Sequence, residues 1–158
     1  MSEQLLRAII ELLAIVAIED DVTEDERESV RNFLLQNLNK EETNKYMSEF
    51  DNFAAQIGSK LSAENFDSKE EITQLTSRIN QELTAQQKVI VLLNLIEVII
   101  ADGEVSEREL DLLYFIGESF KFSKKVIDHI KAFVLNSEKE KLNSTNILIT
   151  DSQEGNQG

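Results

Sequence analysis

The chain has 158 residues with no cysteine, no proline and five glycines, and its net charge is −14. The lack of cysteine excludes disulfides, thiolate metal sites and a cysteine nucleophile. The negative charge disfavours nucleic acid and favours cations or basic partners, unless it only keeps the protein soluble. Glu3 stands where a secretory signal has basic residues, and no apolar run reaches the roughly 20 residues that span a bilayer. We therefore predict a cytoplasmic protein without direct membrane insertion.

Capping residues followed by apolar residues at three- and four-residue spacing predict helices along most of the chain. Four pairs have the S/T-x-x-E/Q spacing of a capping box: Thr23 with Glu26, Ser68 with Glu71, Thr84 with Gln87 and Ser106 with Glu109. Asn39 and Ser123 are also predicted to cap helices. Gly58 is expected to end a helix, as glycine often does. In chain order, the predicted helices are 3–19, 24–38, 40–57, 69–83, 85–101, 107–119 and 124–136, with a turn over 62–67.

Two of these segments, Leu5 to Ile18 and Val89 to Ala101, are apolar almost all round. A helix without a polar face has to be surrounded by other helices. We therefore expect these two helices at the centre, with the amphipathic helices packed around them. The predicted fold class is all-α, a compact bundle of about seven helices.

A diffuse internal repeat relates the two apolar helices and the segments that follow them. At an offset of 83 residues, Leu12 aligns with Leu95, and Glu26 aligns with Glu109. Each copy reads as an apolar helix, an acidic corner, a β-branched residue, a hydroxyl cap and an acidic helix start. The pattern favours a duplicated helical hairpin, although convergent corner chemistry would produce it too.

The helical pattern is lost from about Ser137. A polar stretch is followed by the β-like run 146–150 and by an end rich in glycine, glutamine and serine. Such composition is typical of a linker. We predict a helical domain over residues 1–136 and a polar linker or tail over 137–158, of the kind that leads into a further domain.

The second corner, around Gly103, is explained in large part as a turn between helices. A glycine suits a left-handed C-cap, Ser106 caps the next helix, and Val105 is expected to anchor the corner in the core. Asp102 is not explained in this way, because a carboxylate at a helix C-terminus faces the negative end of the helix dipole. The turn does not explain Glu104 either, nor the cluster of carboxylates at 19–21 in the first corner.

A hard cation such as calcium or magnesium would relieve this repulsion, since it binds through several oxygen ligands. The candidate ligands lack the spacing of an EF-hand, which requires alternating acidic residues before its glycine and a glutamate at its twelfth position. We therefore expect weak cation binding at most, and a solvated acidic corner is the alternative. The candidate metal ligands are Asp102, Glu104 and Glu109 in the second corner and Glu19 and Glu26 in the first.

Two polar residues, Glu11 and Asn94, interrupt the apolar helices at equivalent positions. Buried polar groups need partners. They are expected to pair with Arg7 or Lys88, or else to face a polar seam.

The segment EVIIADGEVSERELDLLYFIGESF resembles the signature of the TerB-like tellurite-resistance family, whose corner reads A-D-G-x-[VI]-[ST]-x-x-E. The match comprises Ala101, Asp102, Gly103, Val105, Ser106 and Glu109, and the resemblance covers roughly residues 3 to 136. It implies an all-helical domain with a repeated hairpin, cation-binding acidic corners and a role in bacterial stress-response or membrane-associated assemblies. Some related domains stand at the N-terminus of longer bacterial proteins, including ATP-binding transport proteins. In the first copy, Glu19 replaces the aspartate and Asp20 replaces the glycine.

Three functional hypotheses follow. The first is a non-catalytic interaction or regulatory module of TerB-like type, which binds a protein partner or a following domain and, weakly, a divalent cation. The second is a structural, protein-binding domain without a ligand. The third, and least favoured, is a carboxylate-based metal enzyme, because the only histidine, His129, lies far along the chain from both corners.

Overall fold

A computed structural model of the protein describes residues 2–18, 22–61, 68–101, 103 and 105–150, with side chains described as far as residue 137. The described residues form seven α-helices, which confirms the predicted all-helical class. None of the described helices is both long and apolar enough to cross a membrane. The helices are α1 (Glu3–Ala17), α2 (Glu24–Asn37), α3 (Lys40–Leu61), α4 (Ser68–Glu82), α5 (Ala85–Ile100), α6 (Glu107–Ser119) and α7 (Lys124–Thr150).

Helix α1 lies at the centre of the bundle, as its all-round apolar sequence predicts. It packs against α3, α4, α5 and α6, and every apolar residue of α1 is buried. Helix α5 also packs against four helices, α1, α2, α6 and α7. One side of α5 nevertheless reaches the surface, where Ile90 is 53% exposed. The prediction of two central helices is therefore confirmed for α1 and only partly correct for α5.

The caps predicted from the sequence begin their helices as expected, except Ser68, which is itself the first residue of α4. Thr23, Thr84 and Ser106 each accept a hydrogen bond from the backbone N–H three residues later and complete a capping box. The Asn39 side chain caps α3, and the Ser123 side chain caps α7. Each cap satisfies a backbone donor that a helix start leaves unpaired.

Helices α1 and α5 run in the same direction. The Ser2 hydroxyl before α1 donates to Glu82 Oε2 at 2.9 Å, just before α5 begins. Leu6 near the start of α1 and Gln87 near the start of α5 line one groove. Because two packed helices of 15 and 16 residues begin together, they also end together. Both acidic corners therefore lie at the same end of the bundle.

Two predicted helix ends are wrong. Helix α3 continues through Gly58 to Leu61, and even a Cβ at Gly58 would come no closer than 3.8 Å to its nearest neighbour, the Ile18 side chain. Helix α7 continues past Asn136 to Thr150, so the residues predicted to be strand-like, 146–150, are helical. Neither proline nor glycine occurs between Lys124 and Thr150, so nothing interrupts the ladder of backbone hydrogen bonds.

The predicted role of Val105 is also wrong. Its side chain is 43% exposed and does not anchor the second corner in the core. Its equivalent in the first copy, Val22, does pack against the core. The two corners therefore share their caps but differ in how their β-branched residue is placed.

Candidate cation-binding corners

The two acidic corners begin their second helices with the same hydrogen-bonded arrangement. In the first corner, the Thr23 backbone N–H donates to Glu26 Oε1 at 3.0 Å, and the Glu26 N–H donates to Thr23 Oγ1 at 3.1 Å. In the second, the Ser106 N–H donates to Glu109 Oε1 and the Glu109 N–H donates to Ser106 Oγ, both at 3.1 Å. The internal repeat is thus visible in the hydrogen bonds as well as in the sequence.

Both capping glutamates are buried. Glu26 and Glu109 are each 2% exposed, and each lies in the first turn of its helix, where the helix dipole favours a negative charge. A buried carboxylate is costly unless hydrogen bonds compensate for its lost hydration. The cap N–H groups supply part of that compensation through Oε1. A carboxylate can also accept through its second oxygen, so capping does not exclude coordination of a cation.

Gly103 adopts the left-handed conformation predicted for it, with φ of +80°. Its N–H donates to the Ile100 carbonyl at 3.0 Å, which closes the last turn of α5. A side chain at this φ is strained even where space is available, and here no atom lies within 4 Å of the position of a Cβ. The requirement for glycine is therefore one of backbone conformation.

The structure describes two of the five predicted metal ligands. Glu26 and Glu109 are placed as above, whereas Glu19, Asp102 and Glu104 lie outside the described residues. Within the described part of the chain, no three histidine, cysteine, aspartate or glutamate residues are grouped so that they could hold a metal ion. Cation binding at the corners stays a prediction.

A further acidic groove, which the sequence patterns did not single out, lies beside the second corner. It has a volume of about 280 Å³ between the start of α2 and the end of α5. Asp25 and Glu28 line it from α2, and Glu97 lines it from α5. These residues are far apart in the chain, and only the antiparallel packing of α2 on α5 brings them together. The acidic character of this end of the bundle thus extends beyond the corners themselves.

Glu11 faces a seam between helices, which is the second of the two arrangements expected for it. Arg7 bonds instead to Glu3 and Glu49, and Lys88 donates to Asn80 Oδ1 and to the Phe120 carbonyl. Burial raises the pKa of Glu11, and nearby Arg78 opposes that rise. Pairing of Glu11 with Arg7 and of Asn94 with Lys88 is therefore wrong. Asn94 donates to the Ile90 carbonyl of its own helix.

The fold and its two equivalent corners define a helical module with a duplicated hairpin. The family model of the tellurite resistance protein TerB matches residues 6–132. The chain therefore belongs to the TerB family, and the resemblance noted in its second corner is confirmed. No curated protein and no solved structure matches the chain.

Proposed function

We propose that this protein is a non-catalytic interaction or regulatory module whose two acidic corners weakly bind a divalent cation. The observation that carries the proposal is the equivalence of the corners: each presents a buried capping glutamate, and both lie at one end of the bundle. Membership of the TerB family supports the interaction role.

In this proposal, Glu109 acts with Asp102 and Glu104 in the second corner, and Glu26 acts with Glu19 in the first. An oxygen-only ligand set selects calcium or magnesium over zinc. With few ligands and no dedicated loop, the dissociation constant should be on the order of 10⁻⁴ to 10⁻³ M. The protein partner or following domain would bind the module from the cytoplasm, in a bacterial stress-response assembly or a larger ATP-binding transport protein. Residues 1–136 would form the module and 137–158 the connection.

Thermal unfolding with and without calcium tests the cation site. At tens of millimolar calcium, binding to the folded state alone should raise the free energy of unfolding by roughly 1 to 3 kcal/mol. The double variant Asp102→Asn, Glu109→Gln should lose the part of that gain that comes from the second corner. A matched control, Glu41→Gln with Glu42→Gln, removes the same charge from the exposed first turn of α3 and should keep it.

Equal stabilisation of all three proteins by calcium would contradict the site, since it would show general screening of the −14 charge. The alternative without a ligand, a purely protein-binding domain, would then be favoured.

A further inference from the structure

Helix α5 buries fewer of its apolar side chains than the equivalent helix α1 does. Each of the two helices contains eleven apolar residues, and all eleven are buried in α1 but only six in α5. The difference therefore lies in what covers the helix and not in its composition. Of the other five apolar residues of α5, Val89, Leu93 and Ile100 are partly buried against the core, whereas Ala85 and Ile90 are exposed.

Three of these five residues, Ile90, Leu93 and Ile100, lie along one stripe of α5. Ile90, Leu93 and Glu97 are spaced three and four residues apart, so they share one side of the helix. Under the 83-residue offset, Leu93 and Glu97 correspond to Ile10 and Ala14 of α1, which are buried. These two positions are thus covered less in α5 than in α1, whereas the counterpart of Ile90 is Arg7, which is exposed in α1 as well.

Helix α2 forms one wall beside this stripe. Asp25, Glu28 and Asn32 line a groove with Glu97 near the end of α5. Leu35 follows Glu28 and Asn32 at helical spacing on the same side of α2 and is exposed. The wall is therefore acidic near the corners and becomes apolar one to two turns further along.

Helix α7 forms the other wall. It packs against α6 through Tyr114, which is bonded to Asp128 and Lys131. Phe133 lies about half a helical turn away from Lys131, so it points away from α6, and it is 63% exposed. Leu135, which is 45% exposed, lies on the opposite side of α7 from Phe133. At the offset of 84 residues that aligns the caps Asn39 and Ser123, Phe133 corresponds to Glu49. The bond of Glu49 to Arg7 in the first half indicates that the Phe133 position lies beside the Ile90 position in the second.

We propose that this surface, which we call the α5 groove, binds an amphipathic helix of a partner protein that carries basic residues at one end. The groove comprises Leu35 of α2, Ile90, Leu93 and Glu97 of α5, and Phe133 of α7, with Asp25 and Glu28 at its acidic end. The inference rests on the interaction role proposed above but requires no cation at the corners.

Charge and dimensions identify the occupant. The stripe of α5 from Ile90 to Ala101 is about 16 Å long, which matches about three turns of a helix. The apolar side chains in the middle fit the apolar face of such a helix. Asp25, Glu28 and Glu97 make one end acidic, although Glu28 also lies 3.9 Å from Arg31. With the net charge of −14, this end fits lysine or arginine at the corresponding end of the partner and disfavours an acidic one.

Fluorescence anisotropy with a labelled peptide tests the proposal. The probe is a helical peptide of about 16 residues with leucines along one face and lysines in one half, and its counterpart carries glutamates in place of the lysines. We expect saturable binding of the lysine peptide only, weakened severalfold when sodium chloride rises from about 50 to about 500 mM.

Two variants of α7 locate the binding surface. Phe133→Asp should weaken binding about tenfold, since exposed aromatic anchors dominate such interfaces. Leu135→Asp should change the affinity by less than about twofold. Both variants add one negative charge to the same helix, so the difference between them isolates the apolar contact. Ile90→Asp should behave like Phe133→Asp, and circular dichroism checks that all three variants fold.

Three outcomes would overturn the proposal. The first is an equal effect of Phe133→Asp and Leu135→Asp, and the second is equal binding of the lysine and glutamate peptides. The third is self-association of the protein at roughly 100 μM that Phe133→Asp abolishes, seen by sedimentation velocity, which would make a second copy the occupant. Calcium stabilisation through Asp102 and Glu109 is measured separately, so failure of the groove and failure of the cation site are distinguishable.

Discussion

The two halves of the bundle contain equivalent seams, one between α1 and α3 and one between α5 and α7, and line them with different side chains. Between α1 and α3, Arg7 forms ion pairs with Glu3 and with Glu49 at the surface. Helix α7 is the counterpart of α3 in the second half. The caps Asn39 and Ser123, which begin these two helices, align them at an offset of 84 residues. That alignment, with the 83-residue offset for α1 and α5, places Ile90 at the position of Arg7 and Phe133 at the position of Glu49.

The comparison teaches that a duplicated fold can keep its core while its surface changes function. Leu12 of α1 and Leu95 of α5 are both fully buried, so the core positions have been kept. The surface positions have changed from a charged, solvated pair to two exposed apolar side chains. Exposed ion pairs contribute little to stability, so their replacement need not affect folding, and the apolar surface becomes available for a partner.

The largest effect is expected where the two halves are alike. Leu12→Asp and Leu95→Asp each place a charge in the core without a partner, and each should lower the free energy of unfolding by more than about 4 kcal/mol. Chemical denaturation measures the loss. If Leu95→Asp alone had a mild effect, Leu95 would be accessible to solvent in the folded protein, and its assignment to the core would be contradicted.

The two helical glycines provide a second contrast between the halves. A Cβ at Gly117 would lie 2.5 Å from the Ile127 side chain, so Gly117→Ala should cost about 1 to 3 kcal/mol through overpacking of α6 against α7. A Cβ at Gly58 would only meet Ile18 at 3.8 Å, so Gly58→Ala should stabilise α3 by about 0.5 to 1 kcal/mol. If Gly117→Ala and Gly58→Ala shifted the melting temperature in the same direction, the close approach of α6 and α7 at Gly117 would be contradicted.

A smaller effect concerns Glu11, whose equivalent in the second half is the neutral Asn94. Because burial raises the pKa of Glu11, the folded protein favours the protonated carboxyl and loses stability as the pH rises through that pKa. Glu11→Gln should therefore raise the melting temperature at about pH 7, and the gain should vanish at about pH 3, where the wild-type carboxyl is protonated as well. A gain that is the same at both pH values would assign the effect to packing instead of charge.

Local sequence patterns were sufficient for the helices and their starts. Thr23, Thr84 and Ser106 act as the caps that their spacing predicts, because a capping box involves residues only three apart. The length of α7 was misjudged because the β-branched residues in 146–150 resemble a strand, whereas the continuous helical backbone before them carries the helix through. Local propensity is a weak guide where a helix is already formed.

The candidate site was harder to predict from local sequence patterns than the helices were. The two capping glutamates were identified, but their burial depends on the packing of whole helices. Glu97 and Phe133 lie far from the predicted corners in the chain and become relevant only through the packing of α2 and α7 on α5. The exposure of Ile90 could not be predicted, because α5 has as many apolar residues as α1, in which every apolar residue is buried.

The central claim, that Ile90 and Phe133 form an exposed apolar pair where the first half has the exposed ion pair of Arg7 with Glu49, is tested most directly by transplanting the ion pair. In the double variant Ile90→Arg, Phe133→Glu, the second half carries the residues that the first half has at Arg7 and Glu49. If Ile90 and Phe133 are exposed, the variant should unfold within about 1 kcal/mol of the wild type and should no longer bind the lysine peptide. A loss of more than about 3 kcal/mol would mean that these side chains are buried in the folded protein and would contradict the account.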